Sequence, residues 1–388
     1  MFDFDRIIDR KNSGCAKYDL ATEYGFGQDV LPLWAADMDF AVPECVRKAL
    51  HQAVDHGIFG YSILGDDYFP ALQKWFSQRH GWQVDKSWLV TTPGVVVAIY
   101  AAVRAASQPG DGVLVMPPVY HAFYDAVLKN GRTLVESPLR FQDGRYTMDF
   151  ADAERKIREN RVKLMLLCSP HNPIGRVWTR EELTKLGQLC QTYGVRVISD
   201  EIHCDFAFPE HPHTPFPVAF PELMEQTIVC TSPSKSFNLA GLQISNIWIP
   251  GKALRTAFLE QLAIAGYDDP NRMGVVACRA AYEGGGSWLD GCKAYLRRNL
   301  DYVRDFLERE LPQVKLIEPE GTYFAWLDFR GLGLTDEELN RRIADRAKVW
   351  LHKGSMFGPC SEQFQRIVLA CPRATLEEAM HRLTRICD

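Results

Sequence analysis

At 388 residues and 46% hydrophobic, the chain is long enough for two domains and apolar enough to bury a large core. Its 44 Lys plus Arg against 49 Asp plus Glu leave a formal charge of −5 without an extended basic block, which argues against nucleic acid as a partner. Eleven cysteines, none in C-x-x-C spacing, read as reduced thiols of a cytoplasmic protein, and no run of roughly 20 apolar residues or secretory h-region suggests a membrane partner.

From Pro43 to Gly57, Val46, Ala49, Leu50, Ala53 and Val54 fall at helical spacing, with Gly57 as the stop. Leu72, Trp75 and Phe76 mark a second helix over Ala71–Arg79. Short apolar runs follow at Trp88–Thr91, Gly112–Met116, Lys163–Cys168, Val195–Ser199 and Thr227–Thr231, the pattern of buried parallel strands. Before the fourth run, Thr179 and Glu182 form a capping-box pair, Leu183, Leu186, Leu189 and Cys190 make one face, and Gly194 ends the helix. After Gly284-Gly285-Gly286 come a long helix over Trp288–Leu311, a strand around Thr322–Asp328, a helix over Asp336–Ala347 and a strand around Arg366–Ala370. The class is α/β: a large domain over 43–286 with a mostly parallel central sheet flanked by helices, and a smaller α+β unit from 1–42 and 287–388.

In open α/β sheets, ligands sit beyond the carboxyl ends of the strands. The loops there are Thr92-Pro93-Gly94-Val95, Pro117-Pro118-Val119-Tyr120, Ser169-Pro170-His171-Asn172-Pro173-Ile174-Gly175, Asp200-Glu201-Ile202-His203 and Ser232-Pro233-Ser234-Lys235. Taken singly, Pro93-Gly94 reads as a turn, Tyr120 as a half-buried aromatic, Asn172-Pro173 as a loop and Lys235 equally as a surface lysine. Asp200 follows a buried run, where an unpaired charge is costly, so it calls for a cationic partner. Together these residues match one chemistry. A pyridinium ring needs a carboxylate at its nitrogen, a donor at its phenolate oxygen, an aromatic on its face, a phosphate cradle and a lysine that attaches to its aldehyde. Asp200, Asn172, Tyr120, Gly94 with Ser232, and Lys235 supply these in turn. Gly94 and Val95 also open a helix that continues through Ala98, Ile99 and Ala102 and would aim free N–H groups at an anion.

Asn172-Pro173-Ile174-Gly175, Asp200 twenty-eight residues after Asn172, Ser232-x-x-Lys235 and Arg366 resemble the fold-type I pyridoxal-phosphate enzymes of the aspartate aminotransferase superfamily, over nearly the whole chain. Trp34-Ala35-Ala36-Asp37-Met38-Asp39-Phe40, Asp200-Glu201-Ile202-His203, Ser234-Lys235-Ser236-Phe237-Asn238-Leu239-Ala240-Gly241-Leu242-Gln243 and Ala370-Cys371-Pro372-Arg373 narrow the resemblance to the cystathionine β-lyase (C–S lyase) branch. It implies pyridoxal 5′-phosphate attached to Lys235, Asp200 at the pyridine nitrogen, Asn172 at the phenolate oxygen and Tyr120 stacked on the ring. It further implies Ser232 and the Gly94 and Val95 amides at the phosphate, joined by Tyr61 of the partner subunit, hence a homodimer. Arg366 would grip the substrate α-carboxylate. His203 stands three residues after the aspartate, where many aminotransferases have a tyrosine at the cofactor, and Gln243 replaces a phosphate-binding arginine; both changes are shared with the C–S lyase branch. Asp37, Trp34 and Tyr323 would reach the substrate end, although packing explains Trp34 and Tyr323 as well. Arg373 is a second choice for the carboxylate, with a surface or cap role the better reading.

The implied activity is α,β-elimination from L-cystathionine or a related L-cysteine S-conjugate, giving a thiol, pyruvate and ammonia, with Lys235 as the base at Cα. Transamination uses the same loops, which do not separate the two outcomes. Ser232-x-x-Lys235 is also the nucleophile motif of Ser/Lys acyl-transferases, but neither Ser-Asp-Asn nor Lys-Thr-Gly occurs. No G-x-G-x-x-G follows a strand, which disfavours a dinucleotide-dependent oxidoreductase, and a full set of cofactor residues disfavours a non-enzymatic binding protein. His211-Pro212-His213 lacks a third ligand at a recognised spacing, so no metal is expected.

Overall fold

The five apolar runs become five strands of a seven-stranded sheet that also takes in Thr133–Glu136 and Ser245–Trp248: β1 (Leu89–Thr92), β2 (Gly112–Val115), β3 (Thr133–Glu136), β4 (Val162–Cys168), β5 (Arg196–Asp200), β6 (Thr227–Thr231) and β7 (Ser245–Trp248). The order is β1-β7-β6-β5-β4-β2-β3, parallel throughout except for β7, which runs against both neighbours. The computed structural model describes residues 2–387; Met1 and Asp388, the outer ends of the expected smaller unit, lie outside them. In β4 only Lys163 reaches solvent, as a strand covered on both faces requires. The fourth run shifts by one residue, so that Asp200 ends β5, paired with Cys168 on one side and Cys230 on the other.

Helices α1 (Glu44–His56), α2 (Tyr68–His80), α3 (Val95–Ala106), α4 (Arg180–Tyr193) and α5 (Gly286–Glu310) match the helical spacings of the sequence. Gly57 closes α1 at φ 74°, a left-handed position suited to glycine. The α4 capping box is complete: the Glu182 N–H donates to Thr179 Oγ1 at 3.2 Å and the Thr179 N–H to Glu182 Oε2 at 2.9 Å. Further helices, among them Phe150–Glu159, Lys252–Ile264, Arg272–Gly284 and Arg373–Leu383, lie outside the segments read from the sequence. The helix expected over Asp336–Ala347 is α-helical only to Arg342 and continues as a π turn, Ile343–Ala347, whose end residues are both buried.

A second, antiparallel sheet has the order β8-β9-β11-β10, with β8 (Lys315–Ile317), β9 (Phe324–Asp328), β10 (His352–Lys353) and β11 (Phe364–Val368). The N-terminal strap joins this side of the molecule: Leu31–Pro32 pairs in parallel with Val349–Trp350. It is clamped by a partly buried charge cluster in which Arg10 bridges Asp37 and Asp39, each at 2.6 Å, and Lys17 reaches Asp39 at 2.8 Å. No helix among the described residues is long and apolar enough to cross a membrane.

Candidate active site

All five loops beyond the strand ends meet at one cavity of about 410 Å³, closed on the far side by Arg366 of β11 and by Trp34 and Ala36 of the strap. Gly94, Val95, Tyr120, Asn172, Asp200, His203, Lys235 and Arg366 line it together. Residues scattered over 270 positions of sequence thus share one wall because strand ends converge there.

Asp200 is the odd member of three carboxylates at and just beyond the end of β5. Glu201 accepts from Ser199 Oγ at 2.8 Å, the Phe216 N–H at 2.9 Å and His213 Nε2 at 2.9 Å. Asp205 accepts from Trp75 Nε1 at 3.0 Å and Ser236 Oγ at 2.5 Å, and lies 2.9 Å from His80 Nε2. Asp200 accepts one backbone N–H, from Ile202 at 3.1 Å, and among the described residues no cationic side chain pairs with it. Burial therefore drives its pKa up to about 7, against a small opposing pull from the Ile202 N–H and Lys235. The cationic partner anticipated from the sequence is not supplied by the chain. A protonated ring nitrogen fits this position.

Lys235 stands on the short turn Pro233–Ser236 and donates from Nζ to the Ala36 carbonyl at 2.8 Å. Burial, then the positive charge of Arg366, lowers its pKa to about 8, with Asp37 and Asp200 opposing. The Tyr323 hydroxyl donates to the same Ala36 oxygen at 3.0 Å.

Arg366 is fully enclosed. It donates from Nη1 to Asn172 Oδ1 at 2.9 Å and from Nη2 to the Trp34 carbonyl at 2.8 Å and His352 Nδ1 at 3.0 Å. Guanidinium cannot accept, so His352 Nδ1 must be the bare nitrogen of a neutral ring. The plane lies 4.2 Å over Phe324, and Nε has no partner, leaving one donor free in a buried position suited to a carboxylate. Its own pKa falls to about 10 because burial disfavours the charge.

At the other end, α3 begins at Gly94 with no side-chain cap and no acidic residue in its first turn, so its leading N–H groups face the cavity unclaimed. A Cβ at Gly94 would meet no protein atom within 4 Å; it would occupy the cavity itself. Ser232 does not line the wall; its hydroxyl donates to the Ile244 carbonyl at 2.8 Å and accepts from the Ser234 N–H at 3.1 Å, and Ser234 lines the cavity in front of it. Tyr61 lies outside the cavity and is 99% exposed. Asp37 faces Arg10 and Lys17 and does not line the cavity, nor does Tyr323.

His203 lines the wall with Nδ1 unpartnered, its ring 5.1 Å from Phe324, and burial with the charges of Lys235 and Arg366 keeps it neutral. Tyr120 is on the lining, its phenol pKa raised by burial. Trp34 does both things anticipated for it, lining the cavity and stacking on Trp350 at 4.4 Å. Arg373 is held by Asn299 Oδ1 at 3.0 Å and the Arg298 carbonyl at 2.6 Å, away from the cavity. His211 is exposed while His213 is buried against Glu201, so the two do not face one ligand. Gln243 is exposed and left-handed at φ 49°.

Sequence reasoning missed His121 and His352, both on the lining, with ring centroids 5.6 Å apart. His352 owes its place to the β10–β11 register, which sets it opposite Arg366, and no local pattern reports such a pairing.

The model of the family described as aminotransferase class I and II matches residues 28–383. Cystathionine beta-lyase PatB of Bacillus subtilis (strain 168) is 43% identical over 380 residues, 98% of each chain. Protein MalY of Escherichia coli (strain K12) is 36% identical over 382 residues, covering 98% of this chain and 97% of its own. Among solved structures, cystalysin from Treponema denticola, which contains a pyridoxal 5′-phosphate cofactor, superimposes with a TM-score of 0.96 at 36% identity, over 100% of this chain and 98% of that one. The PLP-bound C–S lyase from Staphylococcus hominis gives 0.93 at 34% identity, over 100% and 98%. With strand order, loop chemistry and end-to-end similarity in agreement, the chain belongs to the class I and II aminotransferase family.

Proposed function

We propose that the chain is a pyridoxal 5′-phosphate-dependent carbon–sulfur β-lyase, cleaving L-cystathionine or a related L-cysteine S-conjugate with water to a thiol, pyruvate and ammonia. The observation that carries the reading is an unpaired Asp200 carboxylate sharing a buried cavity with the depressed amine of Lys235. Elimination is favoured by relatives named cystathionine beta-lyase and C–S lyase that match the whole chain. When bound, pyridoxal phosphate supplies the electron sink that acidifies the Cα hydrogen of an attached amino acid.

The remaining work falls to side chains. Asp200 would hold a proton at the pyridine nitrogen, and Tyr120 would face the ring. Asn172 donates its amide N–H to the phenolate oxygen while its Oδ1 stays on Arg366. His203 adds a neutral wall beside them. The leading N–H groups of α3, the Ser232 turn and Tyr61 of the partner subunit hold the phosphate, in a cytoplasmic homodimer. Arg366 takes the α-carboxylate, Asp37 steadies the strap beside it, and Lys235, basic near pH 8, removes the Cα proton and returns a proton to the departing sulfur. The reading includes a large cofactor-binding domain over 43–286 and a smaller one from 1–42 and 287–388.

The test is release of pyruvate and thiol from cystathionine with no 2-oxo acid present, together with borohydride attachment of the cofactor to Lys235. Lys235→Ala is expected to lower turnover about a thousandfold. Sustained turnover only with an added 2-oxo acid would favour the second reading, transamination, which the family description supports. Absence of any cofactor attachment at Lys235 would end both.

A further inference from the structure

We propose that Asp205 is a positioning residue for Lys235, acting through the hydroxyl of Ser236; the inference rests on the lyase reading above. Lys235 and Ser236 are neighbours on a four-residue helix, Pro233–Ser236, too short to hold its own geometry. Besides the Ser232 cap, two side-chain contacts of the turn itself tie it to distant parts of the chain. Lys235 Nζ reaches the Ala36 carbonyl at 2.8 Å, and Ser236 Oγ donates to Asp205 Oδ2 at 2.5 Å. Asp205 is itself anchored through its other oxygen to α2, by Trp75 Nε1 at 3.0 Å and His80 Nε2 at 2.9 Å. The carboxylate does not line the active-site cavity, so its effect on the amine passes through the turn.

The three carboxylates at and beyond the end of β5 thereby divide their work. Asp200 waits for a ligand, Glu201 ties the 213–216 loop to the strand, and Asp205 locks the lysine-bearing turn to a helix packed on the core. His80, Cys204 and Asp205 also bring donor atoms within 4.8 Å of one another, a spacing open to a metal. Three protein donors already occupy Asp205, however, and Arg79 and Lys293 line the adjoining cavity with positive charge. Hydrogen bonding accounts for the cluster better than an ion.

A displacement of the reacting amine by 1 Å is enough to cost about a hundredfold in rate. The test compares the wild type with Ser236→Ala and Asp205→Asn, each stripped of cofactor, incubated with pyridoxal phosphate and reduced with borohydride. The labelled fraction of the Lys235 peptide is followed by mass spectrometry. A second readout is the pH midpoint of the visible absorbance of the reloaded protein. Both variants are expected to label at least about tenfold more slowly and to move the midpoint by at least about half a pH unit. Labelling within twofold of the wild type, with an unmoved midpoint, would overturn the inference. A wild type that does not label at Lys235 would instead sink the lyase reading. Should Asp205→Asn fail to fold, Ser236→Ala decides alone, since it removes one oxygen from a side chain that keeps its backbone contacts.

Discussion

Asp200 and Lys235 share one cavity, and among the described residues neither has an ion-pair partner. A buried carboxylate with one N–H donor is a destabilising feature of the chain without its ligand. With its pKa near 7 in the folded protein against an ordinary 3.8, the folded state holds a proton that the unfolded state has lost between those values. Stability of the cofactor-free protein therefore falls as pH rises through that window, and the full cost stands above it. Asp200→Asn is expected to stabilise the cofactor-free protein at pH 8 by a few kcal/mol on the order given by that shift, with the gain shrinking toward pH 4; thermal unfolding across the range checks it. The same variant should bind pyridoxal phosphate more weakly. The cavity residues from Gly94 to Lys235 were legible because they stand at or just beyond the ends of apolar strands, whereas Arg366, inside β11, was marked only by the resemblance. The Asp205–Ser236 bond was not, because both residues look like ordinary polar loop positions until the two loops are folded side by side.

Among the elements, α3 shows how a helix start becomes a binding surface. The Gly94 φ of 179° is extended backbone open to any residue, so a side chain there changes the cavity and leaves the turn alone. Gly94→Asp should favour the helix dipole yet repel phosphate, raising the Kd for the cofactor at least about tenfold with helicity unchanged by circular dichroism. Strands β1, β2, β4, β5 and β6 were readable as apolar runs. Strand β7 was not, since Ser245-Asn246-Ile247-Trp248 mixes polar and apolar residues and Asn246 is buried by accepting the Tyr68 hydroxyl at 2.6 Å. The expected helix over 336–347 keeps α geometry only to Arg342 and closes with the π turn Ile343–Ala347, a local widening that no residue spacing announces.

For the molecule as a whole, the strap is the part that joins everything. Its charge cluster buries Lys17 almost completely, with Asp39 beside it. Lys17→Ala leaves that carboxylate short of a partner and is expected to cost about 3 kcal/mol, read as a lowered midpoint in urea unfolding. If Tyr61 serves the phosphate of a second copy, Tyr61→Phe should weaken cofactor binding while leaving the sedimentation mass of a dimer unchanged. Arg366 donates to the carbonyl of Trp34, 332 positions earlier in the chain, and Lys235 to Ala36, 199 positions earlier. Contacts so far apart in sequence raise the contact order, which slows folding. Both the strap and β11 must have left the ribosome before the cavity is complete, so a nascent chain stalled short of that point lacks the Arg366 wall.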